Sequence, residues 1–127
     1  MCETVQDLED YIQYQFDDIA SFKLAIFLSS GEIQVKFALG QVEQNLITSL
    51  TSISTSADKF SIGDIDFLRA TPVNSNIVSK FAATNESSTP RIFVTEKNNN
   101  LFIVYCCGTT CDKDEPRVQM LMENLMI

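Results

Sequence analysis

Val5, Leu8, Ile12, Phe16 and Ile19 recur at steps of three and four, with Asp10, Asp17 and Asp18 between them. That spacing draws one apolar stripe along a helix. Ahead of it, Thr4-Val5-Gln6-Asp7 sets a hydroxyl three residues before a carboxylate, a pattern that satisfies free N–H groups at a helix start. The stretch from about residue 5 to 18 is therefore predicted to be an amphipathic helix, dry on one side and acidic on the other. The period then changes. Phe22 to Leu28 is almost continuously apolar, Ser29-Ser30-Gly31-Glu32 has turn chemistry, and Ile33, Val35, Phe37 and Leu39 alternate with Gln34, Lys36 and Ala38. Alternation of that kind marks a half-buried strand, so the two runs form a hairpin.

Beyond Gly40, the positions Val42, Leu46, Leu50, Ile53 and Ala57 restore helical spacing, with Ile47 on the flank. Hydroxyl residues crowd this segment from Thr48 to Ser56, and their middling helix propensity makes the helix dependent on tertiary packing. Ile65 to Ala70 predicts a short strand ending before Pro72. The segment at about 72–90 is rich in Asn, Ser and Thr and reads mainly as a flexible loop, with Ile77-Val78 and Phe81 as a short ordered element within it. Arg91 to Glu96 is the next strand, Lys97 to Asn100 a turn, and Leu101 to Cys107 a strand whose unbroken apolar character suits a centre covered on both faces. Asp112 to Glu115 are acidic caps and Pro116 fits a first helical turn. Val118, Leu121, Met122 and Leu125 then give a closing helix its apolar face.

A chain of 127 residues is the size of one domain, and it buries enough surface to fold without metal or disulfides. The net charge of -8 and only nine Lys and Arg argue against binding nucleic acid, whose phosphates are gripped by clustered cations. The same balance leaves membranes accessible only through partners. The N-terminus lacks a basic-then-apolar layout, and no apolar run is long enough to span a bilayer. The expected location is cytoplasmic.

Candidate chemistry is sparse. Histidine is absent, so a Ser or Cys nucleophile would lack its commonest activating base. The four glycines are isolated, which rules out a phosphate-cradling loop or a dinucleotide fingerprint. Among the carboxylate pairs, Asp64 and Asp66 share one strand face, yet a solvated face or helix caps account for them all. Cys106 and Cys107 point to opposite faces of their strand, and Cys2 and Cys111 complete a set that reads as reduced, structural thiols. Phe22, Phe27, Phe37, Phe67, Phe93 and Phe102 sit in strands without basic neighbours, as core or interface aromatics do. The expectation is a chain with no catalytic residues, no metal and no cofactor.

The order helix, strand, strand, helix, strand, strand, strand, helix resembles the roadblock family of dynein light chains and Ragulator subunits. Phe22-Lys23-Leu24-Ala25-Ile26-Phe27-Leu28-Ser29-Ser30-Gly31 looks like that family's first strand and turn, and Asp64-Ile65-Asp66-Phe67-Leu68-Arg69 like its third strand. Arg91-Ile92-Phe93-Val94 and Asn100-Leu101-Phe102-Ile103-Val104 are similar to its final hairpin. The segment from Pro72 to Pro90 is longer than the family's usual link. The resemblance implies a single roadblock/profilin-like α+β domain over residues 1–127. Its five-stranded antiparallel sheet would have the second helix on one face and the first and last on the other.

The resemblance also implies a non-enzymatic, dimerising scaffold in a Ragulator-like or EGO-like assembly. Such assemblies carry Rag-type small GTPases on lysosomal or vacuolar membranes in TOR signalling. The partner would be a second roadblock-type subunit, gripped by Leu46, Leu50 and Ile53 of the second helix and Ile65, Phe67 and Arg69 of the third strand. That short strand, set between a loop and a helix, has the makings of a sheet edge open to strand addition. Alternative readings are a roadblock-type dynein light chain, a longin-like trafficking subunit and a small-ligand-sensing domain.

Overall fold

Alternating side chains and short turns gather the strands into one antiparallel sheet. The computed structural model describes residues 5–53, 58–70, 78–84 and 90–125. Its elements are α1 (Val5–Phe16), β1 (Phe22–Ser29), β2 (Glu32–Ala38), α2 (Gln44–Thr51), β3 (Lys59–Ile62), β4 (Ile65–Ala70), β5 (Val78–Ala83), β6 (Arg91–Lys97), β7 (Asn100–Cys106) and α3 (Cys111–Leu125). The strands lie in the order β2-β1-β7-β6-β5-β4-β3, and every neighbouring pair is antiparallel.

The sheet therefore has seven strands, not the five expected. Lys59–Ile62 folds back on β4 with Phe60 opposite Phe67 and Ile62 opposite Ile65, through a turn in which Gly63 has a φ of 57°. A positive φ is cheap only without a Cβ. β5 forms inside the polar stretch between Pro72 and Pro90, where Val78, Phe81 and Ala83 are buried. It pairs with β4 on one side and β6 on the other. Context of that kind, more than the intrinsic preference of Ser79 or Lys80, makes the segment a strand. One consequence concerns β4: it is flanked by β3 and β5 and is not the sheet edge anticipated for it.

Two cores cover the two faces. On one, Leu8, Ile12 and Phe16 of α1 and Val118, Leu121 and Met122 of α3 pack on Phe22, Ala25, Val78, Phe93, Phe102 and Val104. On the other, Ile47 and Leu50 of α2 and Ile53 beyond it pack on Leu24, Ile26, Phe67, Phe81, Ile92, Val94 and Ile103. β7 runs between β1 and β6 with Ile103 and Val104 both inaccessible, which is the doubly covered position its apolar run anticipates. α2 ends at Thr51, short of the pattern's reach to Ala57. Thr51 Oγ1 donates to Thr48 O at 2.8 Å and Ser52 Oγ to Ser49 O at 2.9 Å, so the hydroxyl-rich stretch bonds back onto its own last turn. The predicted cap at Thr4 and the continuation to Ala57 lie outside the described residues.

Candidate partner-binding face

Parity along β4 decides which side chains leave the core. Phe67 belongs to the α2-side core and is fully buried, so Asp66 and Leu68 point to the opposite face. Leu68 stands opposite Lys59 of β3 and Ala82 of β5, and Asp66 opposite Ser61. Among the described residues, α1 packs chiefly on β2, and α3 on β5 and β6 rather than on β3 or β4. The outer wing formed by β3 and β4 thus presents Lys59, Ser61, Asp66 and Leu68 to solvent. Leu68 is 52% exposed, an apolar side chain in the middle of a polar platform.

The first turn of α3 forms the wall beside this platform, held by charge. Arg91 opens β6 and is buried. Its Nη1 donates to Glu115 Oε1 at 3.1 Å and its Nη2 to Asp112 Oδ1. Glu115 Oε1 also accepts from Lys80 Nζ of β5 at 2.9 Å. The Asp112 side chain remains 86% exposed, so one carboxylate of the network is fixed from beneath while facing solvent.

Behind the wall, Asp114 ties α3 to the start of β1. Its Oδ2 accepts from Ser21 N at 3.0 Å, Ser21 Oγ at 2.7 Å and Thr110 Oγ1 at 2.8 Å. Partial burial alone would raise its pKa, but the hydrogen bonds from Ser21 and Thr110 outweigh that and hold the carboxyl below its ordinary value. Cys107 N donates to Ser21 O at 2.7 Å in the same knot. Burial pushes the Cys106 thiol up to about 12 and raises that of Cys111. Burial also pushes Tyr105 up to about 12.

The residues that the sequence nominates for an interface gather on the opposite, α2 side. Leu50, Ile53 and Phe67 are interior to its core, and Leu46 is half-buried against it. Ile65 is exposed at the rim. Arg69 lays its guanidinium 5.7 Å from the centre of the Phe81 ring and donates to Ser79 Oγ at 2.9 Å. Leu68, immediately beside two of the nominated residues, faces out on the opposite side of the strand and is more exposed than Ile65. The local signal for it was two consecutive apolar residues in an alternating strand, Phe67 and Leu68, which must point to opposite faces. Nothing local joins Arg91 to Glu115, because the sheet and α3 bring them together.

No protein-family model matches the chain, and no curated protein matches it significantly. Among solved structures, the crystal structure of LokiProfilin1 in complex with rabbit actin aligns over 99% of this chain and 96% of that one, with a TM-score of 0.58 and 13% identity. The crystal structure of LokiProfilin1 alone aligns over 93% and 97%, with a TM-score of 0.52 and 12% identity. The fold is thus an α+β domain of the profilin kind, shared across nearly the whole length at an identity that speaks for the fold alone.

These neighbours correct the roadblock resemblance and what it implied. The Ragulator-like or EGO-like scaffold, the TOR and lysosomal setting, the roadblock-type partner subunit and the Rag-type GTPases lose their support. The dynein light chain, longin-like and ligand-sensing alternatives gain none. The resemblance rested on an element order that omitted β3 and β5.

Proposed function

We propose that this chain is a non-enzymatic actin-binding protein that docks through the open β3–β4 wing and the adjoining first turn of α3. The LokiProfilin1 structure aligned over nearly the full length is a complex with actin, which supplies the partner. The observation that carries the choice of surface is Leu68, more than half exposed on a strand whose neighbouring residue is fully buried. Interfaces concentrate their energy in a few central residues ringed by contacts that exclude water, and Leu68 stands at such a centre among Lys59, Ser61 and Asp66.

Calorimetric titration of the purified chain with monomeric actin tests the reading. Wild type binds, and Leu68→Asp weakens binding by about tenfold or more while remaining folded. Ile33→Asp, an exposed position on the far edge strand β2, binds as wild type. A wild-type chain that fails to bind actin overturns the reading. Equal affinity for Leu68→Asp and wild type moves the interface off the wing.

A further inference from the structure

We propose that Arg91 is a positioning residue for partner binding, fixing the first turn of α3 as the wall of the open wing. The inference rests on the actin-binding reading above and deepens it. α3 is anchored in two different ways along its length. Its later turns are held by Val118, Leu121 and Met122, which are buried in the core shared with α1. Its first turns reach β5 and β6 through the ionic bridges of Lys80 and Arg91 to Asp112 and Glu115. The half of the helix nearest β4 is held by the charge-assisted hydrogen bonds of Lys80 and Arg91, together with the Asp114–Ser21 clamp and the buried Cys111.

Within that network Arg91 is the member that spans. Its backbone lies opposite Ala82 of β5 and Cys106 of β7, and its guanidinium reaches both carboxylates from beneath the helix. A planar fork holds two acceptors in a fixed relation, which a single ammonium cannot do. Removing it leaves Glu115 with the Lys80 bridge and takes from Asp112 its bond to β6. The apolar core of α3 stays in place. The expected result is a folded protein whose binding wall is loose, so affinity falls because the partner must order that turn on docking.

The test compares Arg91→Met, Arg91→Lys and wild type in two measurements. One is hydrogen exchange of the backbone amides in the first turns of α3, and the other is affinity for monomeric actin. Arg91→Met exchanges these amides about tenfold faster, with amides in the later half of α3 changed little, and binds about fivefold or more weakly. Arg91→Lys, which keeps the charge and one bridge, recovers part of both. Should Arg91→Met fail to fold, Lys80→Met removes the other cation on Glu115 and shifts both measurements in the same direction. Unchanged exchange, or faster exchange with unchanged affinity of the folded protein, overturns the proposal and reduces Arg91 to a structural bridge. Leu68→Asp, run in parallel, reports separately on the wing: wild-type affinity in that variant sinks the underlying reading whatever Arg91 does.

Discussion

Ser21 and Asp114, 93 residues apart in the chain, meet through two hydrogen bonds to one carboxylate oxygen, from the Ser21 amide at 3.0 Å and its hydroxyl at 2.7 Å. The bonds clamp the α1–β1 connection to the first turn of α3, so both ends of the fold share one acceptor. Hydrogen bonds to an ionised group contribute more than neutral ones. Asp114→Ala is expected to cost about 2 kcal/mol of unfolding free energy, measured by urea denaturation at neutral pH.

The same carboxylate gives the protein an acid limb. Its pKa is lowered in the folded state, so the unfolded chain binds its proton first as pH falls. The stability contributed by Asp114 is complete above the unfolded value, near pH 4, and is lost as pH drops through the lower, folded one. Urea midpoints measured from pH 6 to pH 2 should fall less steeply for Asp114→Asn than for wild type in the lower part of that range. Parallel curves would show that other carboxylates govern acid unfolding.

Cys106 has the opposite dependence. Cys106 titrates near 12 against an ordinary value of 9.0, because burial disfavours its thiolate. The unfolded chain therefore ionises first as pH rises, and stability is full below pH 9 and declines from there toward 12. Thiolates are the reactive form, and Cys106 and Cys111 are buried whereas Cys107 is only partly so. Iodoacetamide at pH 8 should modify Cys107 ahead of Cys106 and Cys111 in the native protein, read by tandem mass spectrometry that locates the label by fragmentation. Comparable labelling of Cys106 would mean that the end of β7 opens readily.

Much of the architecture follows from neighbours in sequence. The three- and four-residue steps from Leu8 to Phe16, the alternation from Ile33 to Phe37 and the apolar run from Leu101 to Cys106 each carry their own period, and the structure has α1, β2 and β7 there. β3 and β5 were not legible to the same degree. Lys59–Ile62 is four residues long, too short for a period to show. Ser79, Lys80 and Ala82 belong to a strand because β4 and β6 flank them. Omitting those two strands made β4 look like an edge and turned Phe67, a core residue, into a candidate contact. The wall of the wing was hidden for a similar reason. Arg91 reads as the start of a strand and Glu115 as a helix cap, and only the packing of α3 on β6 joins them.

Phe67 and Leu68 offer a direct check of which side chain faces inward. Phe67 is fully buried and Leu68 52% exposed. Phe67→Ala removes an aromatic ring from the α2-side core, a change that costs about 3–5 kcal/mol. Leu68→Ala, on the open face, should stay within about 0.5 kcal/mol of wild type. Denaturant melts of the two variants decide it. Equal costs would place Leu68 under cover in the free protein and remove it as the anchor of the wing.

The turn between β6 and β7 provides a stabilising prediction. Lys97 pairs with Asn100 across a two-residue loop, and both loop residues take positive φ, 52° at Asn98 and 68° at Asn99. Two-residue turns of this kind match the right-handed twist of the strands they join and favour Asn followed by Gly. Asn98 already fits, while Asn99 carries a Cβ in a conformation that disfavours one. The adjoining contact does not depend on its side chain, because Ser30 N donates to the Asn99 carbonyl at 2.9 Å and ties this turn to the one between β1 and β2. Asn99→Gly should therefore keep that bond, relieve the strain and raise stability by about 0.5 kcal/mol even after the extra freedom gained by the unfolded chain. Asn99→Val, branched at Cβ, should lower it by about 1–2 kcal/mol. Urea midpoints moving in opposite directions for the two variants would confirm the turn, whereas a loss of stability in Asn99→Gly would show that the Asn99 side chain contributes more than its backbone conformation costs.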